Sequence, residues 1–256
     1  MGMPIGVDLR DRHAAPELLD RVFAWLRHVD ELFSTYRPDS EISRLNRGEL
    51  DLENCSPHVR EVLAACKRLR IETDGYFDAR AASASRIDPS GLVKGWSIQR
   101  AADLLDAAGV TAFAINASGD VVVRGQPQPG DAWRIGIQHP AQGNRLAAVL
   151  AAENLAIATS GTYQRGEHIF DPHTHRPPSG IVAITVIGPD LANADAYATA
   201  AHAMGHAGIR WIARLHNYAG YSIHPDGTAT STPGFDALRA QEGRAASCRD
   251  VQCGLA

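Results

Sequence analysis

The sequence predicts an α+β fold, and three observations carry that prediction. As far as Gly109, apolar residues recur mainly at the spacing of amphipathic helices. Beyond Gly109 the apolar period shortens to that of strands. The strands so marked follow one another across turn residues, whereas a parallel βαβ wind would set a helix between each pair.

Residues 3 to 9 alternate weakly and predict a first strand. From Ala15 to Phe33 the residues Leu18, Leu19, Val22, Phe23, Trp25, Leu26, Val29, Leu32 and Phe33 line one helical face. Val59 to Ile71 repeats that pattern and stops before Asp74-Gly75. Ser97 to Ala108 forms a third helix, closed by Gly109. Short strands then follow at Ala112–Ile115, Val121–Val123, Trp133–Ile137, Ala147–Ala151 and Ala156–Thr159. Ile181–Ile187 is β-branched and strand-like, Ala194–Met204 is helical, and Trp211–Leu215 and Tyr221–Ile223 read as a helix end and a last strand. The expected division is one domain over residues 1–236 and a flexible tail over 237–256, where the apolar pattern fades.

The chain has 256 residues, 45% of them hydrophobic and 21% charged, which is the profile of a globular protein with ample core. A formal charge of −4 argues against a nucleic-acid partner, which needs a basic surface. No apolar run reaches the length of a membrane span, and the first residues lack the basic start and apolar stretch of a secretory signal. The four cysteines, Cys55, Cys66, Cys248 and Cys253, show neither a disulfide framework nor a zinc spacing. The expectation is a cytoplasmic protein with reduced thiols.

Three stretches carry chemistry. In "NADAYATA" (193–200), Asp195 and Thr199 stand four apart, so on a helix both oxygens share one face. Taken alone, the stretch reads more readily as a helix-start carboxylate beside a tolerated threonine. In "DPSGLVKGWSIQR" (88–100), Gly91 and Gly95 precede the expected helix, a place where free N–H groups suit phosphate, although the spacing is not that of a P-loop. A plain turn with a glycine hinge is the competing reading. In "ATSGTYQRGEHIFDPHTHRPP" (158–178), His173 and His175 flank Thr174 without a third ligand at a zinc spacing. His168 lies at the edge of the strand-like "HIF", where it would be held in place and could serve as a base, although taken alone such a residue is more often a structural histidine.

These pieces stand in a fixed order with "ELFSTYRPDSEISRLN" (31–46), "TDGYFD" (73–78), "INASGD" (115–120) and "ADAYATAAHAMG" (194–205). The ordered set resembles the ApbE family, the FAD:protein FMN transferases, over about residues 1 to 236. The resemblance implies an ApbE-like fold of mixed, mostly antiparallel sheets packed with helices in two interleaved subdomains. It implies Mg²⁺-dependent transfer of the FMN half of FAD to a threonine hydroxyl of an acceptor protein carrying a Ser/Thr-Gly-Ala-Thr-like motif, with release of AMP. A Mg²⁺-dependent FAD pyrophosphatase, or a flavin-binding protein without turnover, is the alternative.

Carried over residue by residue, the resemblance makes Asp195, Thr199 and the backbone carbonyl of Ser97 the Mg²⁺ ligands, an oxygen set suited to a hard cation. Met1 and Tyr36 correspond to flavin and adenine contacts, and Gly75, Tyr76, Phe77 and Asp78 to the adenosine segment. Lys94 stands near the nucleotide, and Arg100 and Ala198 are counted with its contacts. Thr159, Ser160 and Gly161 would supply hydroxyl and backbone donors beside the phosphates. His168 and Asp195 are the expected catalytic residues. The chain departs from the family pattern at Ser118, where a second glycine is usual, and at Gln99, where an aspartate is common.

Overall fold

The computed structural model describes residues 2–11, 16–81, 85–161, 169–240 and 252–253. A first strand, β1 (Ile5–Leu9), leads into four helices, α1 (Pro16–Phe33), α2 (Glu41–Asn46), α3 (Pro57–Glu72) and α4 (Ser90–Ala107). Six strands follow: β2 (Phe113–Ala117), β3 (Asp120–Arg124), β4 (Trp133–His139), β5 (Gln142–Ala152), β6 (Leu155–Gly161) and β7 (Ala183–Gly188). Then come α5 (Leu191–Ala203), α6 (Gly208–Ile212), β8 (Ala219–Ile223), β9 (Ala229–Ser231), α7 (Pro233–Asp236) and β10 (Gln252–Cys253).

Seven strands form one sheet in the order β1-β2-β3-β6-β7-β8-β9, and every neighbouring pair is antiparallel. The period of two along each strand divides its side chains between two cores. Ile115, Ala117, Val122, Ala156, Ala158, Ile184 and Val186 pack with apolar residues of α1, α3, α4 and α5. Ala114, Val121, Val123, Ile157, Ile187 and Tyr221 instead meet Trp133, Ile135 and Leu150 of the β4–β5 hairpin, together with Phe235. The fold is therefore three layers: helices, large sheet, small sheet. All six residues of β7 are buried, because both faces of that strand are covered, which is why its sequence runs β-branched without alternating.

α4 starts at Ser90, seven residues earlier than its apolar pattern suggests, so Gly91 and Gly95 lie inside the helix and not ahead of it. The reason is packing. A Cβ on Gly95 would stand 2.5 Å from the Leu191 carbonyl oxygen and 2.8 Å from the Asp195 Cβ, so this glycine lets α4 and α5 touch backbone to backbone. Gly95→Ala makes the point measurable. A mere hinge glycine in a helix would gain about 1 kcal/mol from alanine, whereas overpacking this seam is expected to cost about 1–3 kcal/mol in urea or thermal unfolding.

Short elements escaped the periodicity. α2 is set by Ser40, whose hydroxyl accepts the Ser43 N–H at 3.1 Å. The described part of "HIF", Ile169 and Phe170, is not strand: the chain turns there, and Asp171 pairs with Arg176 across the turn. Past α7 the chain stays attached to β5, with Ala151 N donating to the Leu238 carbonyl and Ala240 N to that of Val149. Arg239 lies over the rings of Tyr221 and Phe235, at 5.2 and 5.1 Å. The segment 237–240, expected to be loose, is thus hydrogen-bonded, and β10 pairs parallel with β4.

Candidate active site at the α4–α5 seam

α5 is buried on almost every side, which explains its alanines: small side chains let one helix lie between α4, the sheet and α6. Its start is fixed twice. Asp190 accepts the Asn193 N–H at 2.8 Å, and Gln99 of α4 accepts the Leu191 N–H at 2.9 Å. Gln99, where the family pattern favours aspartate, thus pins α5 to α4.

Asp195 is 3% exposed. One carboxylate oxygen accepts the Gly95 N–H at 3.0 Å, and the other stands 3.6 Å from Lys94 Nζ. The same ammonium lies 2.5 Å from Asp120 Oδ2, and Asp120 Oδ1 accepts the Thr159 N–H at 3.1 Å. Asp120 is 1% exposed and absent from the residues expected in the site. It is delivered by a two-residue turn, Ser118-Gly119, with φ of 51° and 99°, in which Asn116 Oδ1 accepts the Gly119 N–H. Ser118 thus holds a left-handed conformation that glycine adopts without strain. The available signal was a carboxylate opening the otherwise apolar "DVVV".

Thr199 lies one turn along α5 from Asp195, half-buried, with its hydroxyl 3.4 Å from that of Ser160. Among the described residues, two carboxylates here face one ammonium. Burial pushes the Asp195 carboxyl above the usual range; Lys94 opposes that and the Asp120 charge adds to it.

Several expected residues sit elsewhere. The Ser97 carbonyl, the expected backbone ligand, accepts the Trp25 indole N–H at 2.9 Å. Arg100 shares the Trp96 face of α4, 2.6 Å from Glu61 of α3. Ala198 is wholly enclosed and presents no surface. The Thr159 hydroxyl bonds that of Thr185 at 2.9 Å on the far face of the sheet, so only its N–H serves the site; Ser160, one residue on, faces the helices. Gly161 ends β6. Met1 and His168 lie outside the described residues.

Residues 75–78, expected to meet adenosine, form a tight turn after α3, with Gly75 at φ 82°. Phe77 is a buried anchor against Gly91, so Tyr76 is the aromatic left at the surface. Its ring meets His173 edge-on at 4.6 Å, and His173 Nε2 is 2.8 Å from the Asp74 carbonyl oxygen. Asp78 is engaged by Arg70 at 2.9 Å. Tyr36, on the α1–α2 connection, is 96% exposed. At the other end of α5 opens a cleft of about 590 Å³, lined by Asp171, Thr174, Arg176, Ser179 and Met204 among others; Lys94, Asp120 and Asp195 are not among its walls.

A family model described as "ApbE family" matches residues 1–86 and 79–221. The chain is 24% identical to the FAD:protein FMN transferase of Escherichia coli K12, over 87% of this chain and 81% of that protein. It is 29% identical to the FAD:protein FMN transferase of Rhodobacter capsulatus, over 89% of this chain and 42% of that one. Among solved structures, the flavin transferase ApbE from Vibrio cholerae superposes with a TM-score of 0.80 at 24% identity, covering 93% of this chain and 96% of that one. The flavinyl transferase ApbE of Pseudomonas stutzeri gives 0.78 at 23% identity, covering 94% and 98%. With most of its length matched by the family model and its three layers shared with these structures, the chain belongs to the ApbE family.

Proposed function

We propose that the chain transfers the FMN half of FAD to a threonine hydroxyl of an acceptor protein, releasing AMP, in a Mg²⁺-dependent reaction. The observation that supports this most is the corner where the buried carboxylates Asp120 and Asp195 share the single ammonium of Lys94 beside the Thr199 hydroxyl. The groups gathered there that can ligate a metal are oxygens, which suits a hard divalent cation. Asp195 and Thr199 would hold that ion. When bound, Mg²⁺ supplies neutralisation of charge on pyrophosphate oxygens.

The remaining work falls to the chain's own groups. The acceptor hydroxyl attacks the FMN phosphorus; the phosphoanhydride bond breaks, and AMP leaves with the bonding electron pair. His168 takes the proton of the attacking hydroxyl. Lys94 holds positive charge near the nucleotide, and Ser160 offers a hydroxyl on the helix side of the sheet. Tyr36 and Tyr76 offer aromatic surfaces to flavin or adenine.

The test is incubation with FAD and Mg²⁺, with and without a peptide bearing a Ser/Thr-Gly-Ala-Thr-like motif. Peptide-dependent AMP release with flavin fluorescence on the peptide is the expected result. FMN and AMP appearing at one rate regardless of peptide would instead make the enzyme an FAD pyrophosphatase.

A further inference from the structure

Asp120 is even more deeply buried than Asp195, yet on the reading above it does not hold the metal. Its contacts say what it does. One oxygen is fixed by the Thr159 N–H, and the residue itself is fixed by the Ser118-Gly119 turn, so its carboxylate is a rigid point on the sheet. The other oxygen holds Lys94 Nζ at 2.5 Å. Lys94 has a second carboxylate within reach: it precedes Gly95, whose N–H is bonded to Asp195, so the backbone keeps the root of the lysine beside Asp195. Even so, the ammonium stands 3.6 Å from Asp195, farther than from Asp120. A largely buried ammonium seeks a carboxylate, and without Asp120 the nearest among the described residues is Asp195.

We propose that Asp120 is a positioning residue that draws the Lys94 ammonium aside, so that Asp195 stays open to the divalent cation. The lysine is a built-in competitor for the metal's carboxylate, and Asp120 decides the competition. This rests on the reading that Asp195 and Thr199 hold the metal, and it makes the effect of Asp120 on the cation pass through Lys94.

Mn²⁺ alone is a suitable probe, with the unbound ion followed by electron paramagnetic resonance and folding checked by thermal melting. Asp120→Asn keeps the shape and an acceptor for Thr159 but frees the lysine to close on Asp195. It should weaken Mn²⁺ binding by roughly 10–100-fold, the usual worth of a group supporting a metal ligand. Lys94→Met should bind Mn²⁺ at least as well as the native protein. The decisive variant is Lys94→Met/Asp120→Asn, expected to match Lys94→Met within about threefold because the competitor is gone.

Mn²⁺ affinity unchanged by Asp120→Asn overturns the proposal. So does a double variant as weak as Asp120→Asn, which would mean that the Asp120 charge acts on the ion directly. Should Asp120→Asn fail to fold, the comparison of Lys94→Met with the double variant still decides. Asp195→Ala separates the two levels: if it takes up Mn²⁺ as the native protein does, the metal reading itself fails.

Discussion

Asp195→Ala is expected to show no measurable flavin transfer at ordinary Mg²⁺, while remaining folded. The substitution removes the charged oxygen donor, and water replaces an anionic ligand poorly around a small hard ion. Thr199→Ala removes only a neutral oxygen, so part of its activity should return at high Mg²⁺. The fold should tolerate Asp195→Ala because Lys94 keeps Asp120 as a partner and alanine suits the helix. The lost hydrogen bond to the Gly95 N–H costs about 1 kcal/mol, since that N–H lies inside α4 with a helix carbonyl also in reach. AMP release across a Mg²⁺ series, with a melting curve for each variant, makes the check. Full activity of Asp195→Ala at low Mg²⁺ would remove the metal from this corner.

His168→Ala should lower transfer on the order of 10²–10⁴-fold, the worth of a well-placed acid or base, with FAD binding nearly intact. A base must be neutral to accept a proton, so the native rate should rise with pH through the histidine range, and the variant should lose that rise. Rates are to be measured with saturating acceptor peptide, and FAD affinity by fluorescence titration. A native rate in the variant would assign the proton to another group.

Much of this was legible in the sequence because the relevant signal was local. Helices α1 and α3 announce themselves by one apolar face, and Asp195 and Thr199 by a spacing that only a helix turns into proximity. What failed was whatever depended on a partner far along the chain. Gly91 and Gly95 looked like breaks, since the closeness of Leu191 that calls for Gly95 lies almost a hundred residues on. The side on which the Thr159 hydroxyl emerges depends on the strand register, which places it opposite Thr185 and away from the helices. Ser97 was assigned by order in a motif, and only the docking of α1 shows its carbonyl turned to Trp25. Asp120 was passed over because its turn is ordinary; its meaning comes from Lys94 and Thr159.

The pairing of β1 with β2, Ile5 opposite Ala117, has a consequence for biosynthesis. A ribosome adds about 5–20 residues per second, so β1 leaves it on the order of ten seconds before its only neighbour in the sheet exists. During that interval α1 and α3 can form, because their backbone hydrogen bonds are local, while β1 must wait unpaired with both backbone edges open. The first strand made therefore cannot enter the sheet until the four helices that follow it have been synthesised, and through that interval its backbone edges stay open to another molecule.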